Sequence, residues 1–253
     1  MTFCIDFAIM SIHMENDKNL MPIGKAAQFL GVSIMTLRRW DATGKLPAIK
    51  SPSGYRYYER KVLERFREDI FSIAKAWAKS QMAPDISEDC YCGTQDRFRA
   101  RLERMATLLN REQTTFDLAP LLTAIAGEIG NNSFDHNLGN WPDVPGVFFS
   151  YNTNKRIIVL ADRGVGIKAT LKRVCPELKD DISALRVALT ERISGRAPEQ
   201  RGNGLKFVVD VAKENPVEIS LQSGIAVSAI GRNGAQVSLA DENIRGTLTK
   251  IGY

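Results

Sequence analysis

The feature that most constrains the fold is an apolar strand that runs into an acidic turn with paired glycines: Ile157-Ile158-Val159-Leu160, then Asp162-Arg163-Gly164-Val165-Gly166-Ile167. An Asp at a strand end can accept a hydrogen bond from an exocyclic amine, and two glycines let the backbone approach a ligand closely. Strands are expected at 146–151, 156–161 (this one), 217–222, 225–230 and 246–251, with helices near 181–193 and 203–214. Strands with interspersed helices make a layered α/β fold.

Two more motifs flank this one. Glu128-Ile129-Gly130-Asn131-Asn132-Ser133-Phe134-Asp135-His136 falls on a helix expected over 118–134, and Glu128, Asn132 and His136 recur every four residues, on one face. A carboxylate can position or deprotonate a water. An amide oxygen can coordinate magnesium, a hard cation that keeps several waters and shares phosphate oxygens. Arg201-Gly202-Asn203-Gly204-Leu205 opens the helix at 203–214, where glycines at a helix N-terminus present free amides to phosphate. Each motif alone is a weak signal. All three, in this order and in these contexts, are a strong one.

The order E-x3-N, D-x-G-x-G, G-x-G-L and then Gly246-Thr247-Leu248 resembles the GHKL ATPases, which include gyrase, the mismatch-repair ATPases, histidine kinases and the anti-sigma-factor serine kinases. The resemblance spans residues 115–253 and implies an α/β two-layer sandwich, the Bergerat ATP-binding fold. It implies ATP and Mg2+ as cofactors, with Asn132 binding the metal, Asp162 contacting the adenine amine and Thr247 supporting the adenine side through water. Gly164, Gly166, Gly202 and Gly204 would bound the nucleotide, and residues 168–201 would form a mobile lid. Glu128 matches the position that activates water in hydrolysing members. Kinase members also carry an acid there, so it permits hydrolysis or phosphotransfer without choosing between them. His136 is expected to be structural.

Ahead of this lies a different module. Pro22 opens a short helix through Lys25-Ala26-Ala27-Gln28-Phe29-Leu30, Gly31-Val32 makes a turn, and Ser33 caps a second helix through Trp40 that Gly44 stops. Ser51-Pro52-Ser53-Gly54 then turns a hairpin into Tyr55-Arg56-Tyr57-Tyr58, and a charged helix is expected from Glu59 to Ser80. Residues 14–80 hold 13 Lys and Arg against 7 Asp and Glu, whereas residues 81–253 hold 21 of each, so the basic excess behind the net charge of +5 lies in the first module. Charge alone fits either a nucleic-acid footprint or a solvated face. The pattern I-x-x-A-A-x-x-L-G-V-S-x-x-T-L-R-R-W-D, then G-K-L-P, then S-G-Y-R-Y-Y, is similar to the MerR-type and excisionase-type winged helix-turn-helix. That resemblance implies double-stranded DNA as partner. Ser33, Thr36, Arg38 and Arg39 would lie at the major groove, Tyr55 and Arg56 on the wing, and Lys45 would face phosphate.

The expected organisation is thus a disordered segment or mis-assigned start over 1–19, a mainly α winged helix-turn-helix over 20–80, a linker and connecting helix over 81–114, and the ATPase over 115–253. No stretch approaches a membrane span and no signal peptide is evident, so the chain is expected in the cytoplasm with reduced thiols at Cys4, Cys90, Cys92 and Cys175. The fusion points to an ATP-binding transcription regulator whose ATPase domain gates DNA binding or assembly. The alternative is an anti-sigma-type serine kinase acting on a separate STAS-like protein. Homodimerisation stays open, since no heptad repeat specifies it.

Overall fold

The structure, a computed structural model, describes residues 20–30, 32–44, 46–67, 69–191 and 204–253. It divides into two compact units: one runs to Asp69 and includes Pro84–Ser87, and the other comprises Ile70–Ala83 and Glu88–Tyr253.

The first unit opens with strand β1 (Leu20–Pro22), followed by helices α1 (Ile23–Leu30) and α2 (Ile34–Ala42). Strands β2 (Ile49–Lys50) and β3 (Arg56–Glu59) and helix α3 (Arg60–Arg67) complete it. The strands form an antiparallel sheet in the order β1-β3-β2. Ser51 N–H donates to the Tyr55 carbonyl and Gly54 N–H to the Ser51 carbonyl, closing the β2–β3 turn. Ala26, Leu30, Leu37, Trp40, Tyr58 and Leu63 are buried. Trp40 packs against Phe66 with ring centroids 4.9 Å apart and planes tilted by 47°, and the Tyr58 hydroxyl donates to the Leu37 carbonyl at 3.3 Å.

The second unit begins with α4 (Ile70–Lys79), then β4 (Tyr91–Cys92), α5 (Gln95–Arg111) and α6 (Ala119–Asn137). Next come β5 (Val147–Asn152), β6 (Ile157–Asp162), α7 (Gly166–Leu171) and α8 (Asp181–Thr190). Helix α9 (Gly204–Glu214) leads into β7 (Glu218–Ser223), β8 (Ala226–Gly231), β9 (Gly234–Leu239) and β10 (Thr247–Gly252). The seven strands form one antiparallel sheet in the order β4-β5-β6-β10-β7-β8-β9.

Period-two alternation splits each strand between two layers. Phe149, Ile158, Leu160, Leu221, Ile230 and Ile251 join the main core with Phe98 and Met105 of α5, Leu122, Ile125 and Ile129 of α6, Leu185 of α8 and Val208 of α9. Helix α4 packs on β5, β6 and β10, burying Ile70, Ile73, Ala74 and Trp77. These side chains recur at helical spacing, and burying each large one is worth about 1.5–3 kcal/mol.

Two boundaries differ from expectation. The single helix expected over 59–80 is two helices, and the second belongs to the sheet unit rather than to the first unit. Residues 81–114, expected as linker and connecting helix, supply β4 on the sheet edge and α5 in the main core. Asp69, directly before Ile70, is of the residue type that favours a helix start, but the apolar spacing Phe66, Ile70, Ile73, Trp77 carries straight across it. Strand β9, with its polar alternation, and the six-residue α7 were not expected from sequence. Among the described residues no helix is long and apolar enough to cross a membrane. Residues 1–19 lie outside the described residues.

Candidate functional site

In the sheet unit, Asp162 ends β6 with 1% of its surface exposed. Its Oδ1 accepts from Gly164 N–H at 2.8 Å, and its Oδ2 accepts from the Ser133 hydroxyl at 2.8 Å and the Thr247 hydroxyl at 2.5 Å. Burial pushes this carboxyl above its ordinary value of 3.8, against the pull of those donors. Thr247 opens β10 beside β6, and its cross-strand neighbour on the other side is Ser223 of β7. The Ser223 hydroxyl donates to the Gly246 carbonyl and accepts from Ile167 N–H at 3.0 Å. One polar row, Asp162, Thr247 and Ser223, therefore crosses three strand ends at the edge of an apolar core.

Helix α6 supports this row. Ser133 reaches Asp162, and Asn137, one turn later, donates to the Ser133 carbonyl at 2.7 Å and accepts from Val165 N–H at 2.8 Å. A Cβ at Gly164 would lie 2.2 Å from the Asn137 amide, so any larger residue there would push Asn137 out of its place between Ser133 and Val165. Nothing in the sequence marked Ser133, Asn137 or Ser223. The one available signal was that Ser133 and Asn137 are polar residues at i, i+4 on an otherwise apolar helix side.

The first and third motifs also meet. A Cβ on Gly204, the first residue of α9, would lie 2.5 Å from Glu128 Oε2 and 3.3 Å from Asn132 Nδ2. Glu128 is exposed and Asn132 half-buried. His136, half-buried, is held toward its neutral form by burial and by the charge of Arg173, against the pull of Asp162. Gly166 takes a positive φ of 78° at the start of α7. Gly202 and residues 192–201 of the expected lid lie outside the described residues.

In the first unit, Ser33 caps α2: its Oγ accepts from Thr36 N–H at 3.1 Å and lies 2.9 Å from Thr36 Oγ1. Thr36, expected at base edges, is instead 4% exposed, and its hydroxyl is held against Ser33. The outward face of α2 is Ile34, Met35, Arg38 and Arg39, with Met35 68% exposed. On the hairpin, Tyr55 is 70% exposed. Arg56, expected on the wing surface, turns back and donates from Nε to Asp41 Oδ2 at 2.7 Å, with Lys50 Nζ 3.1 Å from the same oxygen. Lys45 lies outside the described residues.

The Ala48 N–H, then the Arg56 guanidinium, lower the Asp41 carboxyl to about 2. Its stabilising effect is present above the ordinary value of 3.8 and disappears as pH falls through that lowered value. Replacing Asp41 by Asn is expected to destabilise the wing by about 1–2 kcal/mol at neutral pH, given the solvent around Lys50. Denaturation of wild type and variant from pH 6 downward checks this. The two curves should converge toward pH 2, and a gap unchanged with pH would refute it.

Residues 22–58 match the family described as MerR family regulatory protein. A 61-residue stretch is 36% identical to the Type II methyltransferase M.Eco47II of Escherichia coli, covering 24% of this chain and 15% of that enzyme. The capped second helix, the hairpin and the family match agree: the N-terminal unit carries a MerR-type helix-turn-helix, the fold of a DNA-binding regulator.

Proposed function

We propose that the C-terminal unit is an ATP-binding domain of the GHKL type, that Mg2+ enters with the nucleotide, and that occupancy gates DNA binding by the MerR-type unit. The observation that carries this is convergence. Four motifs scattered between Glu128 and Thr247 form one polar row and one glycine-bounded approach: Asp162 with Thr247 and Gly164, and Gly204 against Glu128 and Asn132.

The residues fit the cofactors. Asp162 is a buried acceptor held by short hydrogen bonds, suited to an exocyclic amine, and the Ser133 and Thr247 hydroxyls keep it oriented. Asn132 offers an amide oxygen to magnesium, which when bound neutralises phosphate oxygens. Glu128, exposed beside Gly204, is free to orient a water or a hydroxyl. Gly166 and Gly202 would flank the phosphates. On the DNA side, Arg38 and Arg39 can reach phosphate or guanine, and Met35 offers an apolar contact for a thymine methyl. Tyr55 stands exposed on the hairpin, where it can contact the DNA backbone.

The test is a titration of the full chain against duplex DNA from its own promoter, with and without Mg-ATP, at one salt concentration. Mg-ATP is expected to shift the affinity at least about tenfold, and Asn132→Ala to abolish that shift. Equal affinity in both conditions would refute gating. Labelled ATP with candidate neighbouring proteins would then ask whether the domain is an anti-sigma-type serine kinase.

A further inference from the structure

We propose that Arg163 is the coupling residue that ties the Asp162 site to helix α4, the segment that follows directly on the DNA-binding unit; the inference rests on the nucleotide function above. Asp162 and Arg163 are consecutive, and their contacts lie on opposite faces of the sheet, as strand alternation requires. Asp162 meets Ser133 of α6. Arg163, a charged side chain with no exposed surface, meets α4. Its Nη1 donates to the Trp77 carbonyl, its Nη2 to the Gln81 carbonyl at 3.3 Å, and its guanidinium carbon lies 5.9 Å from the centroid of the Trp77 ring.

Trp77 and Ala78 are in the last turn of α4, where carbonyls lack helical partners and favour cations. Trp77 is capped by Arg163, and the Ala78 carbonyl accepts from Arg245 N–H at 3.0 Å. Both donors adjoin the Asp162 cradle, for Arg163 follows Asp162 and Arg245 precedes Gly246 and Thr247. Asp143 joins them: its Oδ2 accepts from Arg163 Nε at 2.9 Å and Nη2 at 2.5 Å, and lies 3.5 Å from Arg245 Nη1. The last turn of α4 is thus held by the two strand ends that hold Asp162. A ligand that moves either strand end changes the grip on a helix that starts at Ile70, one residue beyond the DNA-binding unit. Stability alone is a weak reason for a buried arginine, since apolar replacements of whole buried ion pairs are often neutral.

The experiment uses the full chain as wild type, Arg163→Gln and the double variant Asp143→Asn/Arg163→Met, with Glu242→Gln as control. Glu242 pairs α4 through Lys75 and Lys79, away from Arg163. Three quantities are read: Mg-ATP affinity by calorimetry, amide exchange of residues 70–80 with and without Mg-ATP, and promoter-DNA affinity with and without Mg-ATP. In wild type and Glu242→Gln, Mg-ATP should change both the exchange of residues 70–80 and the DNA affinity. The two Arg163 variants should bind Mg-ATP within about threefold of wild type and lose most of an about tenfold DNA response. The inference is overturned if the Arg163 variants keep the response, if Glu242→Gln loses it as well, or if DNA affinity responds while residues 70–80 do not. Failure of wild type to bind Mg-ATP would instead strike the nucleotide function itself, and the coupling with it.

Discussion

Replacing Asp162 by Asn is expected to lower the affinity for Mg-ATP at least about 30-fold, near 2 kcal/mol, while leaving the ligand-free fold as stable as wild type or more so. The two effects diverge because the carboxylate does two things. In the proposed function it would be the acceptor for the nucleotide's amine, and an amide placed there presents either a weaker acceptor or a competing donor. It is also a buried acid whose charged form burial disfavours. An Asn can still accept from Gly164 N–H, and the Ser133 and Thr247 hydroxyls can rotate to accept from its NH2.

The pH dependence has a definite sign. A carboxyl raised in the folded state contributes stability that is fully present below its unfolded value and is lost as pH rises through the folded one. The wild type should therefore lose stability relative to Asp162→Asn as pH climbs from about 4. Thermal melts across pH with parallel calorimetry check both halves. A variant that unfolds at neutral pH, or one that binds Mg-ATP as wild type does, would show that Asp162 does not have this double role.

What the sequence disclosed and what it hid divide along a physical line. The expected strands at 146–151, 156–161, 217–222, 225–230 and 246–251 each form one residue later, because apolar alternation and turn residues are local signals. The residues expected at the site that are described by the structure gather as two groups around α6, because glycines and carboxylates at motif spacing carry their own geometry. What stayed hidden depends on tertiary partners. Ser133 and Asn137 are ordinary helix polar residues until Asp162 and Val165 arrive beside them. Thr36 looks like a recognition residue until Ser33 takes its hydroxyl, and Arg56 looks like a wing cation until Asp41 takes it. Arg163 occupies the unconstrained position of its motif, so no local pattern distinguishes a buried helix clamp from a solvated arginine. Helix α4 shows the same limit at the scale of an element, since its apolar face fits either unit and only the sheet chooses.

The second large effect falls on Gly246. This residue has φ of 61°, a left-handed conformation that costs an ordinary side chain roughly 1–2 kcal/mol. The added Cβ would lie 2.1 Å from Asp162 Oδ1, 2.5 Å from the Asp162 carbonyl oxygen and 2.6 Å from Gly164 N. Two of these three are backbone atoms of the turn that forms the site, so no rotamer change relieves them, and overpacking of this kind costs about 1–3 kcal/mol more. Gly246→Ala is therefore expected to destabilise the sheet unit by about 2–5 kcal/mol and to remove Mg-ATP binding in whatever fraction folds. Gly139 separates the two causes. It has a similar φ of 74° but nothing within 4 Å of an added Cβ, so Gly139→Ala should cost only the conformational part, about 1–2 kcal/mol, and leave Mg-ATP affinity unchanged. Urea denaturation of the full chain, followed through the sheet unit, measures both. Equal losses in the two variants would mean that backbone conformation alone sets the cost and that the contact of Gly246 with Asp162 does not constrain the site; a large excess at Gly246 with Mg-ATP binding intact would detach that contact from the nucleotide site.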